Sequence, residues 1–422
     1  MQINKGRLKG TFEELSKVGK IEETGVCRPA LSSLDKEASL LVAGWMEEAG
    51  MNTRFDHFGN LIGRFEGKNP DAPILMVGSH IDSQPNGGRF DGTAGVLSAL
   101  EAVTVMNETG VKPYRPIEVI AFSDEEGWRF NKGLFGSRGI IGELEEGELG
   151  RKDKDGITRE EALRAYGCQP ERFAESEYDR KHIHSFLELH IEQGPVLEEK
   201  GVPVGVVKGI SGPLWATLKL KGTAGHAGSV PMKLRQDALA GAAEVITALN
   251  SIVQDDPDQV TVGTVGSLEV SPNSRNVIAD EVVLTIDLRD IDKAQREKCE
   301  EKLRRRIEEI CEKHNLTYEL REDFKNEPSY CSDWIKEIIH EACKTTMDTD
   351  APEVMSGPFH DALTMSKVCD YGMIFVRCKK GISHNPAEFA SFDDLAAGAE
   401  VLYQSMLQMV KKEVKGENLV KQ

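Results

Sequence analysis

The stretch Gly78–Val96, GSHIDSQPNGGRFDGTAGV, sets His80, Asp82 and Asp91 around a glycine-rich turn. A histidine, an aspartate two residues on and a second aspartate in the following loop have the donor types of half a divalent-metal site. Three further stretches carry compatible donors: Ser123-Asp124-Glu125-Glu126-Gly127, then Glu188-Leu189-His190-Ile191-Glu192-Gln193, then Ser383-His384-Asn385-Pro386. Each has a plainer reading alone, as a turn aspartate, an exposed acidic turn, a core histidine or a loop residue. Three neighbouring acids at a strand end are costly unless cations neutralise them, however, and coincidence in all four stretches is a poor explanation. His80, Asp91, Glu126, His190 and His384 are the candidate ligands. If Asp91 bridges, each of two metal ions has three protein ligands and a place left for a shared water. Such a pair acidifies the water and polarises a scissile carbonyl. Glu125, beside a ligand but not spent on metal, is the candidate general base, taking the water's proton and passing it to the leaving nitrogen. Asp82 is expected to hydrogen-bond the far nitrogen of His80. Zinc, manganese, cobalt and nickel all accept such donors.

These donors fall where strands end. Pro73–Val77 is an apolar run of strand length, and Gly95–Gly110 has the apolar spacing of a helix. Ile117–Phe122 leads into the acidic triplet, Phe186–Ile191 alternates towards His190 and Gln193, and Gly372–Arg377 leads through a glycine turn to His384. Strands alternating with helices predict a mostly parallel α/β sheet, in which ligands bind beyond the carboxyl ends of the strands. Amphipathic helices are expected over residues 7–19 and 34–50, a hairpin over Asn52–Phe65 and a last helix over Phe392–Lys411. Residues 143–184 are very polar and predict a surface excursion. Gly205–Gly212 is small and apolar, the texture of a hinge.

After that segment the order strand, helix, two strands, helix, strand runs from Leu214 to Phe324, the β-α-β-β-α-β pattern of a ferredoxin-like unit. The chain is therefore expected to form a discontinuous α/β catalytic domain, 1–210 and 328–422, interrupted by an insert at 211–327. In the insert, GTAGHAG presents His226 on a small-residue loop, which favours a functional imidazole. Asn273, Asn276 and Arg289 lie on or beside the paired strands. Arg289 either pairs with its acidic neighbours or clamps a substrate carboxylate through two parallel hydrogen bonds. His57, His182, His184 and His314 sit in polar surroundings and carry no expected role.

A chain of 422 residues exceeds one ordinary core. With 29% charged and 39% hydrophobic residues it has the composition of a soluble globular protein. A net charge of −18 excludes nucleic acid and anionic membranes as natural partners. The polar start MQINKGRLKGTFEEL has no signal-peptide core, no run reaches membrane-spanning length, and the eight cysteines are scattered without C-x-x-C spacing. Reduced thiols and a cytoplasmic location are expected.

The motifs GSHIDS followed by FDG, SDEEGWRF, ELHIEQGP, HAG, NVI with DLRD, and ISHNPAE, in this order and over nearly the whole chain, resemble one group of the dinuclear zinc metallopeptidase superfamily. Its members are N-carbamoyl-L-amino-acid hydrolases, allantoate amidohydrolases and β-ureidopropionases. The resemblance implies that His80, Asp91 and His190 bind one metal, that Asp91, Glu126 and His384 bind the other, and that Glu125 is the base. It implies that Gln193, Asn276 and Arg289 hold a carboxylated ureido substrate. Gly357 and His360 belong to the turn that would line the same pocket. It implies that His226 reaches into a partner subunit's site to stabilise the oxyanion, and that the insert is a lid and homodimerisation domain closing over substrate. The reaction implied is hydrolysis of a ureido C–N bond to L-amino acid, CO2 and ammonia. His190 disfavours a peptidase, since peptide-cleaving relatives tend to carry an acid there.

Two departures bear on substrate. The turn Ser356-Gly357-Pro358-Phe359-His360-Asp361 is bulkier and stiffer than the group's Ser-Gly-Ala-Gly-His-Asp. Pro213-Leu214-Trp215-Ala216 lacks the basic residue that allantoate-specific members tend to carry, which favours carbamoyl amino acids over allantoate. β-Ureidopropionate and N-acyl amino acids remain alternatives within the same site. A non-catalytic metal binder is opposed by the presence of Glu125 and of every ligand.

Overall fold

The computed structural model describes residues 2–255 and 260–412. It divides into two compact units. The first comprises the chain up to Lys208, Cys331–Val354 and the chain from Phe359 onward; the second comprises Gly209–Tyr330 with Met355–Pro358.

The sheet of the first unit contains β1 (Asn52–Phe55), β2 (Leu61–Phe65), β3 (Ile74–His80), β4 (Ile117–Phe122), β5 (Ile183–Ile191), β6 (Val204–Ile210) and β7 (Asp370–Val376), in the spatial order β6-β7-β5-β3-β4-β2-β1. The inner strands β7, β5, β3 and β4 are parallel. On one flank β4, β2 and β1 pair antiparallel, and on the other β6 pairs antiparallel with β7. The sheet is thus mixed, and the expected parallel character belongs to its centre. Two strands joined by the tight turn at Phe58-Gly59-Asn60 can only run antiparallel, whereas parallel neighbours need helical crossovers.

The inner strands are buried on both faces, which their continuous apolar sequence requires. The helix Thr93–Glu108, apolar nearly all round, is buried over most of its length. It packs between β3 and the last helix, Phe392–Met409. Gly205–Gly212, expected as a hinge, is instead mostly strand: Val204, Val206, Val207 and Ile210 are buried, and β-branched residues suit a pleated, covered surface.

In the second unit, strand Glu281–Asp290 lies between Gly212–Lys221 and the short strands Val262–Thr264 and Leu268–Ser271, and Thr317–Lys325 forms the far edge. All pairs are antiparallel. Leu214, Ala216, Leu218 and Leu220, alternating along one strand, join the core shared with helices Ala238–Gln254 and Lys293–His314. Met355–Pro358 falls in this unit, not in the catalytic domain expected to hold it. The reason is local: Ser211 N–H donates to Ser356 O at 2.9 Å and Ser211 Oγ to Gly357 O at 3.0 Å. None of the eight cysteines is in a disulfide. Among the described residues no helix is long and apolar enough to cross a membrane.

Candidate active site

Parallel pairing puts the carboxyl ends of β3, β4, β5 and β7 on one edge of the sheet. Val77 is level with Leu187, so His80 and His190, three residues further along each strand, reach the same height. Their ring centroids are 6.0 Å apart. Asp91 arrives from the turn after β3, the acidic triplet from the end of β4, and His384 from the loop after β7. Two donor groups result, His80 with Asp91 and His190, and Asp91 with Glu126 and His384; within each, the ligand atoms all lie within 4.8 Å of one another. Asp91 belongs to both. Its Oδ1 is 3.1 Å from His190 Nε2 and 3.9 Å from His80 Nε2, while Oδ2 is 3.2 Å from His384 Nε2. Glu126 Oε2 is 3.5 Å from the same His384 nitrogen.

The imidazoles are oriented for ligation. His80 Nδ1 lies 3.0 Å from the Asp82 carbonyl and His190 Nδ1 2.9 Å from the Ile191 carbonyl. A carbonyl only accepts, so Nδ1 of each ring carries a proton; in the neutral ring Nε2 is then the acceptor, and that of His190 takes Gly92 N–H at 3.1 Å. This corrects the expected role of the Asp82 side chain. Its carboxylate is 3.6 Å from His80 Nδ1 and instead accepts the backbone N–H groups of Glu125 at 3.3 Å and Glu126 at 3.4 Å. The Asp82 carbonyl, at 3.0 Å, is the nearer acceptor.

The electrostatics suit cations. Burial first, then the charges of Asp361, Glu126, Asp82 and Asp91, raise the Glu125 carboxyl well above the ordinary range. Burial and then Asp91 raise Glu126 to about 7. Burial opposes charge on His190, but the Asp91 carboxylate outweighs it and raises that imidazole to about 9. His384, hydrogen-bonded to Asp91, also rises to about 9. Protons thus collect around Asp91 where divalent cations would neutralise the same carboxylates. Imidazole and carboxylate donors in two triples, with the Nδ1 protons of His80 and His190 held by carbonyls, fit a pair of divalent ions.

Several supporting residues are not evident from the sequence. Glu388, buried, accepts Phe90 N–H at 2.9 Å and Asp91 N–H at 3.1 Å, and its other oxygen accepts from Ser383 Oγ at 2.9 Å. It closes the ISHNPAE motif, which is the available signal. Gln84 donates to both oxygens of Glu126, at 3.1 and 2.7 Å. Glu188 lies near His190 and His360, but its oxygens already accept from Ser79 Oγ at 2.7 Å and Ala362 N–H at 2.9 Å. It buttresses β5. Arg28, fully buried, donates Nε to Ile81 O at 2.7 Å and Nη2 to Thr93 Oγ1 at 3.1 Å, tying the two ends of the His80–Asp91 loop together. Gly92 is obligatory, since it has φ +59° and a Cβ there would lie 2.4 Å from the His80 ring.

Of the expected substrate residues in the first unit, Gln193 donates Nε2 to Asp91 Oδ2 and to Ser383 Oγ, both at 3.0 Å. His360 is 2% exposed, as buried as His80, with its ring 4.4 Å from that of His190. The others lie in the second unit. His226 pairs with Val277 in a two-stranded ribbon, and Ala227 N–H donates to the Asn276 carbonyl at 2.9 Å. His226 Nδ1 accepts Gly228 N–H at 3.1 Å, which leaves the proton on the exposed Nε2. Arg289 donates to both oxygens of Asp287, at 2.9 and 2.8 Å, and Nη1 to Gly357 O at 2.7 Å. Of the two readings of Arg289, the pairing with its acidic neighbour is the one present here.

Comparison with known proteins follows the same lines. The model of peptidase family M20/M25/M40 matches residues 76–408. The N-carbamoyl-L-amino-acid amidohydrolase of Pseudomonas sp. (strain NS671) is 44% identical, over 97% of this chain and 99% of its own. The allantoate deiminase of Arabidopsis thaliana is 36% identical, over 94% of this chain and 84% of its own. The crystal structure of an amidase of the hydantoinase/carbamoylase family from Burkholderia multivorans has a TM-score of 0.90 at 36% identity, covering 98% of this chain and 99% of that one. Matched from β3 through the last helix, with every candidate ligand inside the matched span, the chain belongs to peptidase family M20/M25/M40.

Proposed function

We propose that the protein hydrolyses the ureido C–N bond of N-carbamoyl-L-amino acids, releasing L-amino acid, CO2 and ammonia. The observation that carries the reading is Asp91 shared between two triples of donors, with Glu125 beside them but in neither. Divalent ions held by His80, Asp91 and His190 and by Asp91, Glu126 and His384 would polarise the carbamoyl carbonyl and acidify a water. Glu125, with Oε2 3.5 Å from His80 Nε2, takes the proton from that water as it attacks the carbamoyl carbon. The same carboxyl then gives the proton to the amino-acid nitrogen as the C–N bond breaks. The carbamic acid left behind falls to CO2 and ammonia. His226, its proton on Nε2, serves the site of a second copy of the chain, where it donates to the developing oxyanion. Arg289 holds the substrate carboxylate, with Asp287 fixing its plane, and Gln193 and Asn276 orient the ureido group. The full-length likeness to carbamoyl-amino-acid amidohydrolases supports this substrate class. Allantoate is the second reading, because allantoate deiminases match over nearly the same span.

Ammonia release from a panel separates the two. The panel is N-carbamoyl-L-methionine, its D-isomer, N-carbamoyl-β-alanine, allantoate, N-acetyl-L-methionine and a dipeptide, with free amino acid followed where ammonia is not produced. Metal-dependent turnover of the L-carbamoyl compound above all others is expected. Preference for allantoate would overturn the substrate but keep the site. Arg289→Ala is expected to raise KM on the carboxylated substrate about 10- to 100-fold with a smaller change in kcat, as befits loss of a charge-assisted pair worth roughly 1.5–3 kcal/mol. An unchanged kcat/KM would remove Arg289 from the site.

A further inference from the structure

Residues 143–184 have the polarity of a surface excursion, yet they bury a whole guanidinium. Arg159 has no solvent exposure. It opens the helix Arg159–Tyr166, which is held at its start by a capping box between Thr158 and Glu161. From there Nη2 donates to Asp124 Oδ2 at 2.8 Å and to Lys132 O at 2.8 Å. Nη1 pairs with Glu148, which also holds Arg138. The rings of Phe130 and Phe135 lie 5.0 and 4.4 Å from the guanidinium carbon. Arg159 and Arg138, with Arg151 3.8 Å from Glu148 at the rim, thus face the two buried carboxylates of Asp124 and Glu148.

Asp124 immediately precedes Glu125 and has φ 53°, a left-handed conformation uncommon for residues with a side chain, though aspartate tolerates it better than most. The backbone on either side of it is tied down. Gly136 N–H donates to Ser123 O at 2.8 Å, Phe135 N–H to Asp124 O at 3.2 Å and Leu134 N–H to Glu125 O at 3.0 Å. Gly133 passes so close that a Cβ there would lie 2.2 Å from Glu125 O. From the other side Asp82 accepts the amides of Glu125 and Glu126. Arg159 is the cation that fixes the side chain of the turned residue. Neither it nor Asp124 is among the donors grouped around Asp91.

We infer that Arg159 and Asp124 are a positioning pair that holds the left-handed turn after β4 and thereby aims the Glu125 carboxylate. The inference rests on the reading of Glu125 as the base and goes beyond it, assigning a catalytic purpose to the polar excursion. A reacting group displaced by about 1 Å loses on the order of 100-fold in rate, without loss of substrate binding.

The test is steady-state kinetics on N-carbamoyl-L-methionine with bound metal and melting temperature measured on each variant. Asp124→Asn keeps the side-chain shape and an acceptor for Arg159 but removes the charge. Arg159→Lys keeps the charge but loses the two-point grip. Both are expected to lower kcat about 10- to 100-fold while KM stays within about 3-fold and metal content is that of the parent. In a Glu125→Asp background, where the base is already displaced, Asp124→Asn should cost less than about 3-fold more, because both changes act through one group. Folded variants with kcat within about 2-fold of the parent would overturn the inference, as would a full, additive loss in the Glu125→Asp background. A rate loss matched by lost metal would overturn it too. If Glu125→Gln itself stayed active, the assignment of the base would fail; if that variant were dead and the pair silent, only the positioning role would fail.

Discussion

Glu125→Gln is expected to retain bound metal and to turn over about 1,000-fold more slowly than the parent. The amide has the shape of the carboxylate but cannot accept the water's proton or return it to the leaving nitrogen. General acid–base catalysis by one group contributes roughly 100- to 10,000-fold. A group that serves twice in one cycle belongs in the upper half of that range, and 1,000-fold corresponds to about 4 kcal/mol of barrier. Metal retention follows from geometry, since Glu125 is in neither donor triple. Its carboxyl is raised by burial and then by Asp361, Glu126, Asp82 and Asp91, so the site disfavours a charge there and an uncharged amide of the same shape fits it. Metal analysis, ammonia release and a melting curve on one preparation check all three points. Activity within tenfold of the parent would mean that another group moves the proton.

The crowding of donors around Glu125 is legible in the sequence for a physical reason. His80, Asp91, Glu126, His190 and His384 each follow an apolar run of strand length, and the ends of parallel strands must share one edge. The alternation of strand and helix in the second unit is readable for a similar reason, since Leu214, Ala216, Leu218 and Leu220 alternate while the flanking helices do not, but one of the two paired strands is broken into Val262–Thr264 and Leu268–Ser271. What stays hidden is whatever depends on where a polar side chain is taken by the rest of the chain. Arg28 and Arg159 look like surface residues in sequence, and only their distant carbonyl and carboxylate partners make burial tolerable. The Asp82 carboxylate is an obvious partner for His80 by spacing, but spacing alone cannot distinguish a side-chain acceptor from the carbonyl of the same residue. The small residues of Gly205–Gly212 suggest a hinge, whereas its valines and isoleucine decide for strand once β7 lies alongside. Met355–Pro358 falls outside the first unit through bonds to Ser211 and Arg289, far away in sequence.

Asp91→Ala is expected to abolish turnover and to lose both divalent ions together, because its two oxygens face different histidines and no other residue belongs to both triples. Loss of only one ion, with the other held at full occupancy, would refute the bridge. The parent offers a companion measurement. Without metal, His190 and His384 each hold a proton up to about pH 9 and Glu126 holds one up to about pH 7. A ligand must be deprotonated to bind a cation, so metal uptake near neutral pH releases protons and competes with them. The sign follows: apparent affinity rises as pH rises through 7 and towards 9, then flattens once the imidazoles are neutral. Titrating chelated protein with Mn2+ or Zn2+ in two buffers of different ionisation enthalpy measures the protons released. Proton release unchanged between pH 6 and 10 would mean that other groups bind the metal.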